Sequence, residues 1–487
     1  MNIKVIVRNV GLALLVSSLF MFISMLLSLA EGNDSALAAM TISFVLTFIV
    51  GIFPFIFVKR EKSISLQDGY MIIFLAWILS FIFGTLPYLL WGGPFSVVNA
   101  WFESVSGFTT TGATILDNPE SLPDSLLFWR ASTHFIGGLG VVVFLLLVIP
   151  SSGPVKLRLT NMEVSSLSKD AYQSRTNKTV TIFALVYLGL NALAFLLYLL
   201  AGMSPLDAIC QAFSVCATGG FSTRNESIAS FGSPAVVMIT MVFMYLASVH
   251  FGLIWYSVIT RSLKPLYRNP VLQFYTGMLV AATLLVSFSL RISGTETTLG
   301  KAMLDGGFQV LSYASTTGFA ITDNSAWPLF PTAVLLIVGI ICGCAGSTSG
   351  GIKSDRVLVL FKATQRLIHN TIHPSSVEEI KIGRRSVKDE EVYPHVLFVT
   401  LFFMLLIISI LLCFLFGEHS ANALYGAVAS ISNDGASVGP TIGSMGNYGR
   451  EPEAVKFIFT VNMFLGRLEI YPVLAIFSLI MHPKRRQ

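Results

Sequence analysis

Apolar runs alternate with short polar connections along nearly the whole chain. A helix needs roughly 20 apolar residues to cross a hydrocarbon core of about 30 Å. Runs of that order fall near 9–30, 38–58, 69–91, 126–149, 179–201, 234–260, 270–292, 330–368, 394–417 and 455–481, so ten transmembrane helices are expected. The first run is preceded only by Lys4 and Arg8. It reads as an anchor, because Ser28-Leu29-Ala30-Glu31 makes no convincing processing site.

Composition agrees with the pattern: 54% of the 487 residues are hydrophobic and 12% are charged, which excludes a soluble globular class. Charge then sets the topology. Lys4 and Arg8, Lys59-Arg60-Glu61-Lys62, the segment 156–178, Arg261/Lys264/Arg268, the segment 353–388 and Lys484-Arg485-Arg486 occupy alternate connections and hold most of the 31 Lys and Arg residues. Glu31, Asp34, Asp117, Glu120, Asp124, Glu226, Glu296, Asp323, Glu418 and Glu451 fall on the other side. Basic connections stay inside, so both termini are expected in the cytoplasm. The net charge of +5 follows from this bias and points to no nucleic-acid partner. Cys210, Cys216, Cys342, Cys344 and Cys413 show no pairing pattern and imply no disulfide framework. Cys342-Gly343-Cys344, without a nearby His or carboxylate, reads as small packing residues rather than a metal pair. His134 and His250 lack metal-ligand spacing and read as packed or interfacial side chains.

Four segments align without a gap: "NAWFESVSGFTTTGA" from Asn99, "DAICQAFSVCATGGF" from Asp207, "DGGFQVLSYASTTGF" from Asp305 and "NALYGAVASISNDGA" from Asn422. Each opens on Asn or Asp, a residue type that caps helix N-termini. Each reaches a glycine thirteen positions on: Gly112, Gly220, Gly318 and Gly435. About nine helical residues make only about 15 Å, half a membrane. A helix that stops at that depth leaves carbonyls exposed, which is tolerated only against protein or a watery cavity. One glycine–threonine loop is ordinarily a turn. Four in register turn four helix C-termini, each carrying partial negative charge, toward one axis, which favours a cation. The ligands expected are backbone carbonyls of Thr110, Thr111 and Gly112; Thr218, Gly219 and Gly220; Thr316, Thr317 and Gly318; and Asn433, Asp434 and Gly435. The threonine hydroxyls satisfy the loop without adding charge. These repeats divide the chain into an N-terminal hairpin, 1–65, and four span–pore helix–span units, 66–155, 156–265, 266–380 and 381–487. The fold class expected is an all-α integral membrane protein with pseudo-fourfold symmetry.

Two further features belong inside the membrane. "ICGCAGSTSGGIKSDR" interrupts the 330–368 run, and Gly343, Cys344, Ala345, Gly346, Ser347, Thr348, Ser349, Gly350 and Gly351 are too polar and flexible to continue a helix at low cost. A packing kink and a pore-lining loop both fit that string. Arg467 lies in the last run, where an arginine costs about 3 kcal/mol on insertion scales and therefore faces protein or water. Glu469, two positions on, is a poor helical neighbour for it. Lys353 ends the glycine-rich loop and serves either the pore or topology. The glycines of "HFIGGLGVVVF", Gly137, Gly138 and Gly140, suit close helix contact.

The loops ending Thr-Thr-Gly-Ala, Thr-Gly-Gly-Phe, Thr-Thr-Gly-Phe and Asn-Asp-Gly-Ala, with "GCAGSTSGGIK" at 343–353 and "FLGRLEIYP" at 464–472, resemble the Trk/Ktr/HKT superfamily of potassium transporters. The likeness covers essentially the whole chain, and the N-terminal hairpin resembles the TrkH/TrkG branch. It implies potassium as the substrate held by filter carbonyls, with Gly112 marking potassium preference where serine accompanies sodium permeation in some plant relatives. It further implies that 343–351 is an intramembrane gate facing Arg467. The implied setting is the bacterial inner membrane, with surrounding lipid, a homodimer and a TrkA-like cytosolic nucleotide-binding ring as partners; 364–391 is a candidate docking face. Asp434 departs from the uncharged residue many members carry, and an ionised carboxylate facing the pore would concentrate cations. No cofactor is expected on the chain. Two rival classes weigh less: an alternating-access carrier, which ordinarily has two related halves, and a membrane enzyme, for which no nucleophile, base or metal cluster is found.

Overall fold

The computed structural model describes residues 2–61, 65–148, 176–375, 379–383, 385–387, 389–439, 441–470 and 473–474. Among these, six helices are long and apolar enough to cross a membrane: Ile3–Ala30, Leu37–Phe57, Gln67–Trp91, Thr181–Leu200, Pro270–Ile292 and Asp389–Leu415. Local chemistry sets several of their ends. Ser65 and Asp68 form a reciprocal capping box before the third helix. Pro270 opens its helix in the first turn, where a missing N–H costs nothing. The first two helices cross through glycine, since a Cβ on Gly11 would sit 2.7 Å from the Gly51 carbonyl oxygen.

Four shorter helices lie between the longer ones: Val97–Phe108, Pro205–Ala217, Leu299–Ser315 and Ser420–Ser432, with 12, 13, 17 and 13 residues. They are longer than the nine or so residues expected, and their starts differ too. Ser96, Ser204 and Thr298 are the caps, accepting hydrogen bonds from the amides of Asn99, Asp207 and Lys301. Asn99 and Asp207 are therefore third-position residues, not caps, and Asn422 likewise follows the preceding residue His419 by three. Asp305 stands in the second turn of the longest of the four. A hydroxyl three residues upstream reaches the free amide better, and in the second helix Asp207 binds Ser204 Oγ back at 2.8 Å.

The 234–260 run is not one straight span. It divides into Pro234–Ser248 and Phe251–Ile259, inclined at 102°. The 330–368 run is also two helices, Leu329–Ile341 and Ser354–Ile372, with the glycine-rich loop between them. A two-stranded antiparallel hairpin, Ile380–Ile382 with Arg385–Val387, departs from the purely helical expectation. Its Ile380, Ile382 and Val387 supply apolar side chains to a core. The 455–481 run begins as Glu453–Arg467. Its remainder past residue 474, and the boundary expected at 155/156, lie outside the described residues.

Packing separates two large apolar cores. One joins the hairpin helices to the first and fourth short helices, through residues such as Trp77, Phe102, Phe108 and Phe459. The other joins the second and third, through Tyr187, Phe243, Tyr275 and Phe308. The glycine loops occupy the seam between the two.

Candidate functional site

Each short helix ends in the same way. Thr110, Thr218, Thr316 and Asn433 adopt left-handed φ values of 53, 54, 57 and 55°. Their amides return to the carbonyls of Gly107, Val215, Tyr313 and Ser430, and the next amides, of Thr111, Gly219, Thr317 and Asp434, return to Ser106, Ser214, Ser312 and Ala429. This is the Schellman pattern, normally closed by glycine. Three β-branched threonines in that conformation are genuine outliers, the kind of strain that collects at functional sites. The first two loop amides of each unit are thus spent on the helix ends. Among the described residues, no hydrogen bond is donated to the carbonyls of Thr110, Thr111, Gly112, Thr218, Gly219, Gly220, Thr316, Thr317, Gly318, Asn433, Asp434 or Gly435.

The four glycines close a ring. A Cβ on Gly112 would drive into the Gly219 carbonyl, one on Gly220 into that of Thr317, one on Gly318 would lie 2.9 Å from Ala436 N, and one on Gly435 would strike the Thr111 carbonyl. First meets second, second third, third fourth and fourth first. Gly112, Gly220, Gly318 and Gly435 are each partly accessible, whereas their immediate neighbours are buried. Accessible backbone at the meeting point of four helix C-termini is a place where a cation is stabilised and an anion is not.

Side chains brace the ring. Glu103 is fully buried and pairs with Arg130 at 2.6 Å. The carboxylate also accepts from Thr114 Oγ1 at 2.9 Å and Ile115 N at 3.0 Å, while Arg130 donates to the Ser222 carbonyl at 2.9 Å. One ion pair therefore clasps the outgoing strands of the first and second loops. Sequence reading missed it; an acid inside a short apolar helix and an arginine inside the next long one were the available signal. Thr109 and Thr111 share a hydroxyl contact of 2.8 Å, repeated as Ser315 and Thr317 at 2.7 Å. Asp434 takes the corresponding fourth position. Its side chain is buried and its Oδ1 accepts from Ala436 N at 3.3 Å. It lines a small space with Tyr313, Gly339 and Tyr425, and its Oδ1 lies 3.4 Å from where a Cβ on Gly318 would sit. His134 stacks on Phe221 with centroids 4.2 Å apart, and His250 sets its edge against Phe183 at 5.5 Å. The five cysteines are buried and free.

The loop between Leu329–Ile341 and Ser354–Ile372 presses against the ring. Gly350 N donates to Thr316 Oγ1 at 2.9 Å, and a Cβ on Gly350 would enter the Ser432 carbonyl. Thr348 Oγ1 donates to Cys216 O at 3.0 Å. Arg467 holds the loop from the far side, donating to Thr348 O at 2.8 Å and to Gly137 O at 3.0 Å. Gly137 packs directly against the Phe108 carbonyl, so Arg467 links the loop to the wall of the first unit. The loop also takes the freed backbone groups of the bent helix pair: Cys344 N binds Ser248 O and Phe251 N binds Gly346 O. Gly343, Ala345, Ser347, Ser349 and Gly351 complete the same segment, with Ala345 N bound to Asp355 at 2.6 Å. Lys353 is buried and donates to the Ser349 carbonyl. Glu469 lies beyond the helix end and pairs with Arg356 at 2.5 Å, not with Arg467.

Fold and site define a multi-pass helical membrane protein centred on four short helices whose C-terminal loops converge. The sequence profile of the TrkH cation transport proteins matches residues 36–486, and the chain belongs to that family. It is 33% identical over 98% of its length to the Trk system potassium uptake protein TrkH of Salmonella typhimurium, and covers 99% of that relative. It is 32% identical to TrkG of Escherichia coli K12, covering 98% of both chains. The crystal structure of the potassium transporter TrkH from Vibrio parahaemolyticus matches with a TM-score of 0.87 at 30% identity, covering 98% of each chain.

Proposed function

We propose that this chain is the potassium uptake pore of a Trk system, and a transporter rather than an enzyme. The observation that carries the reading is the set of twelve loop carbonyls that receive no hydrogen bond among the described residues, around four accessible glycines. Potassium sheds water against these oxygens at Thr110–Gly112, Thr218–Gly220, Thr316–Gly318 and Asn433–Gly435, and passes down its gradient. The names of the relatives support potassium as the cargo.

The architecture in this reading has ten spans: the hairpin 1–65 and four units, 66–155, 156–265, 266–380 and 381–487. Both termini face the cytoplasm, so the pore helices begin outside. The loop 343–351 with Lys353 and Arg467 forms the gate, closed by the contacts to Thr316, Cys216 and Gly137. A TrkA-like ring docks on the inner side, around 364–391, and the chain works as a homodimer in the inner membrane. Rescue of a bacterium lacking potassium uptake, at low external potassium, tests the reading. Growth restored by the wild type and shifted toward sodium sensitivity by Gly112→Ser is expected; no rescue by a correctly inserted protein rejects it.

A further inference from the structure

Beside the second pore helix, on the side away from the glycine ring, lies a cavity of about 760 Å³. Its walls are apolar: Phe20, Ile23 and Leu27 of the first helix face Ile209 and Phe213 of the second pore helix, with Phe195 alongside. Phe20 is eleven residues below Glu31, so the walls run about 16 Å inward from the helix ends. The mouth is charged. Asp207 is already satisfied by Arg224 at 2.9 Å, Thr223 at 2.5 Å and Ser204. Glu31, Glu120 and Asp124 complete the rim, and among the described residues none of the three forms an ion pair. Burial, then the neighbouring Asp124 and after it Asp34, raise the Glu31 carboxyl to about 7, so an ammonium placed there relieves the crowding of acids.

Hydrocarbon walls at membrane depth below a rim of acids with one arginine match a zwitterionic head, whose ammonium meets the acids and whose phosphate meets the arginine, and disfavour a head whose only charge is negative. We propose that this cavity holds one acyl chain of an amine-headed phospholipid of the phosphatidylethanolamine type, its ammonium at Glu31 and Asp124 and its phosphate toward Arg224. The bound chain rests on Ile209 and Phe213, on the helix that ends at Thr218–Gly220, and so braces the second quarter of the ring.

The test uses full-length protein in nanodiscs of phosphatidylethanolamine and phosphatidylglycerol in equal parts, with retained lipid counted by native mass spectrometry after extraction. The wild type is expected to retain phosphatidylethanolamine at least about fivefold over phosphatidylglycerol. Leu27→Trp and Ile209→Trp, which fill the cavity from opposite walls, are each expected to abolish retention. The Glu31→Gln, Asp124→Asn double variant is expected to keep a lipid but lose the headgroup preference. Equal retention of both lipids by the wild type, or retention untouched by either tryptophan, overturns the proposal. A change in oligomeric state instead of lipid count assigns the groove to a second copy and also overturns it. Lipid counts are independent of transport, so a failure here is distinguishable from a failure of the potassium reading.

Discussion

Glu103 and Arg130 are the residues on which the outer shape of the ring turns. Both are buried, and breaking such a pair leaves an uncompensated charge at a cost of about 3–5 kcal/mol. Glu103→Gln is therefore expected to lower the thermal midpoint by several degrees and to reduce rubidium flux; an unchanged midpoint counts against the clasp. A second residue-scale prediction concerns Glu451, on the loop before the last described helix. Burial, then its hydrogen bond to and repulsion from Glu418, push its carboxyl up to about 8 from 4.5. Glu418 moves the other way: burial opposes the shift, but hydrogen bonds from Glu451, the His419 amide and Asn422 hold it below its usual range. The folded protein thus binds the Glu451 proton more tightly than the unfolded chain. Stability falls as pH rises from about 4.5 to about 8, and the loss is complete above that. Lys456 moderates the effect by its opposite charge. Glu451→Gln is expected to flatten the melting temperature between about pH 5 and 9 and to raise it at the alkaline end; parallel curves for variant and wild type contradict the assignment.

At the scale of elements, the glycine-rich loop and the bent helix pair form one unit. The break at Val249-His250 was hard to see in sequence because Ser248, His250 and Gly252 are only scattered small or polar positions in a run otherwise apolar enough for one span, and no proline marks the bend. Its cause is tertiary: the loop accepts and donates the backbone bonds that a straight helix would have made internally. The loop itself was legible, since glycine density has a direct conformational cost. The cap positions were less so, because Asn99, Asp207 and Asn422 have cap chemistry and only the hydroxyls at 96 and 204 show where the first two helices start. Two predictions belong here. Arg467→Ala removes the tie to Thr348 O and Gly137 O together with a fixed positive charge, and is expected to raise rubidium flux severalfold in liposomes; unchanged or lower flux in folded protein counts against a barrier. Gly350→Ala puts a methyl into the Ser432 carbonyl. It is expected to push the loop off the ring and raise the leak without the regulatory partner, and a tighter pore speaks against contact gating.

Across the whole molecule, the fourfold repeat was legible because every unit keeps the same count from its opening Asn or Asp to its glycine. What the count did not reveal is how the ring closes: the two amides before each glycine return to their own helix, leaving acceptors at the shared seam between two cores. Asp434 illustrates the limit. Its place in the string does not say which way the carboxylate faces; the buried side chain lies beside Tyr313 and Gly339, with Oδ1 3.4 Å from where a Cβ on Gly318 would sit. The central claim is that Gly112, Gly220, Gly318 and Gly435 surround an ion path. The most direct measurement is a density map of the protein with thallium replacing potassium. Thallium peaks encircled by the carbonyls of the four loops are expected, and heavy-ion density confined elsewhere, with the ring clear of it, contradicts the account.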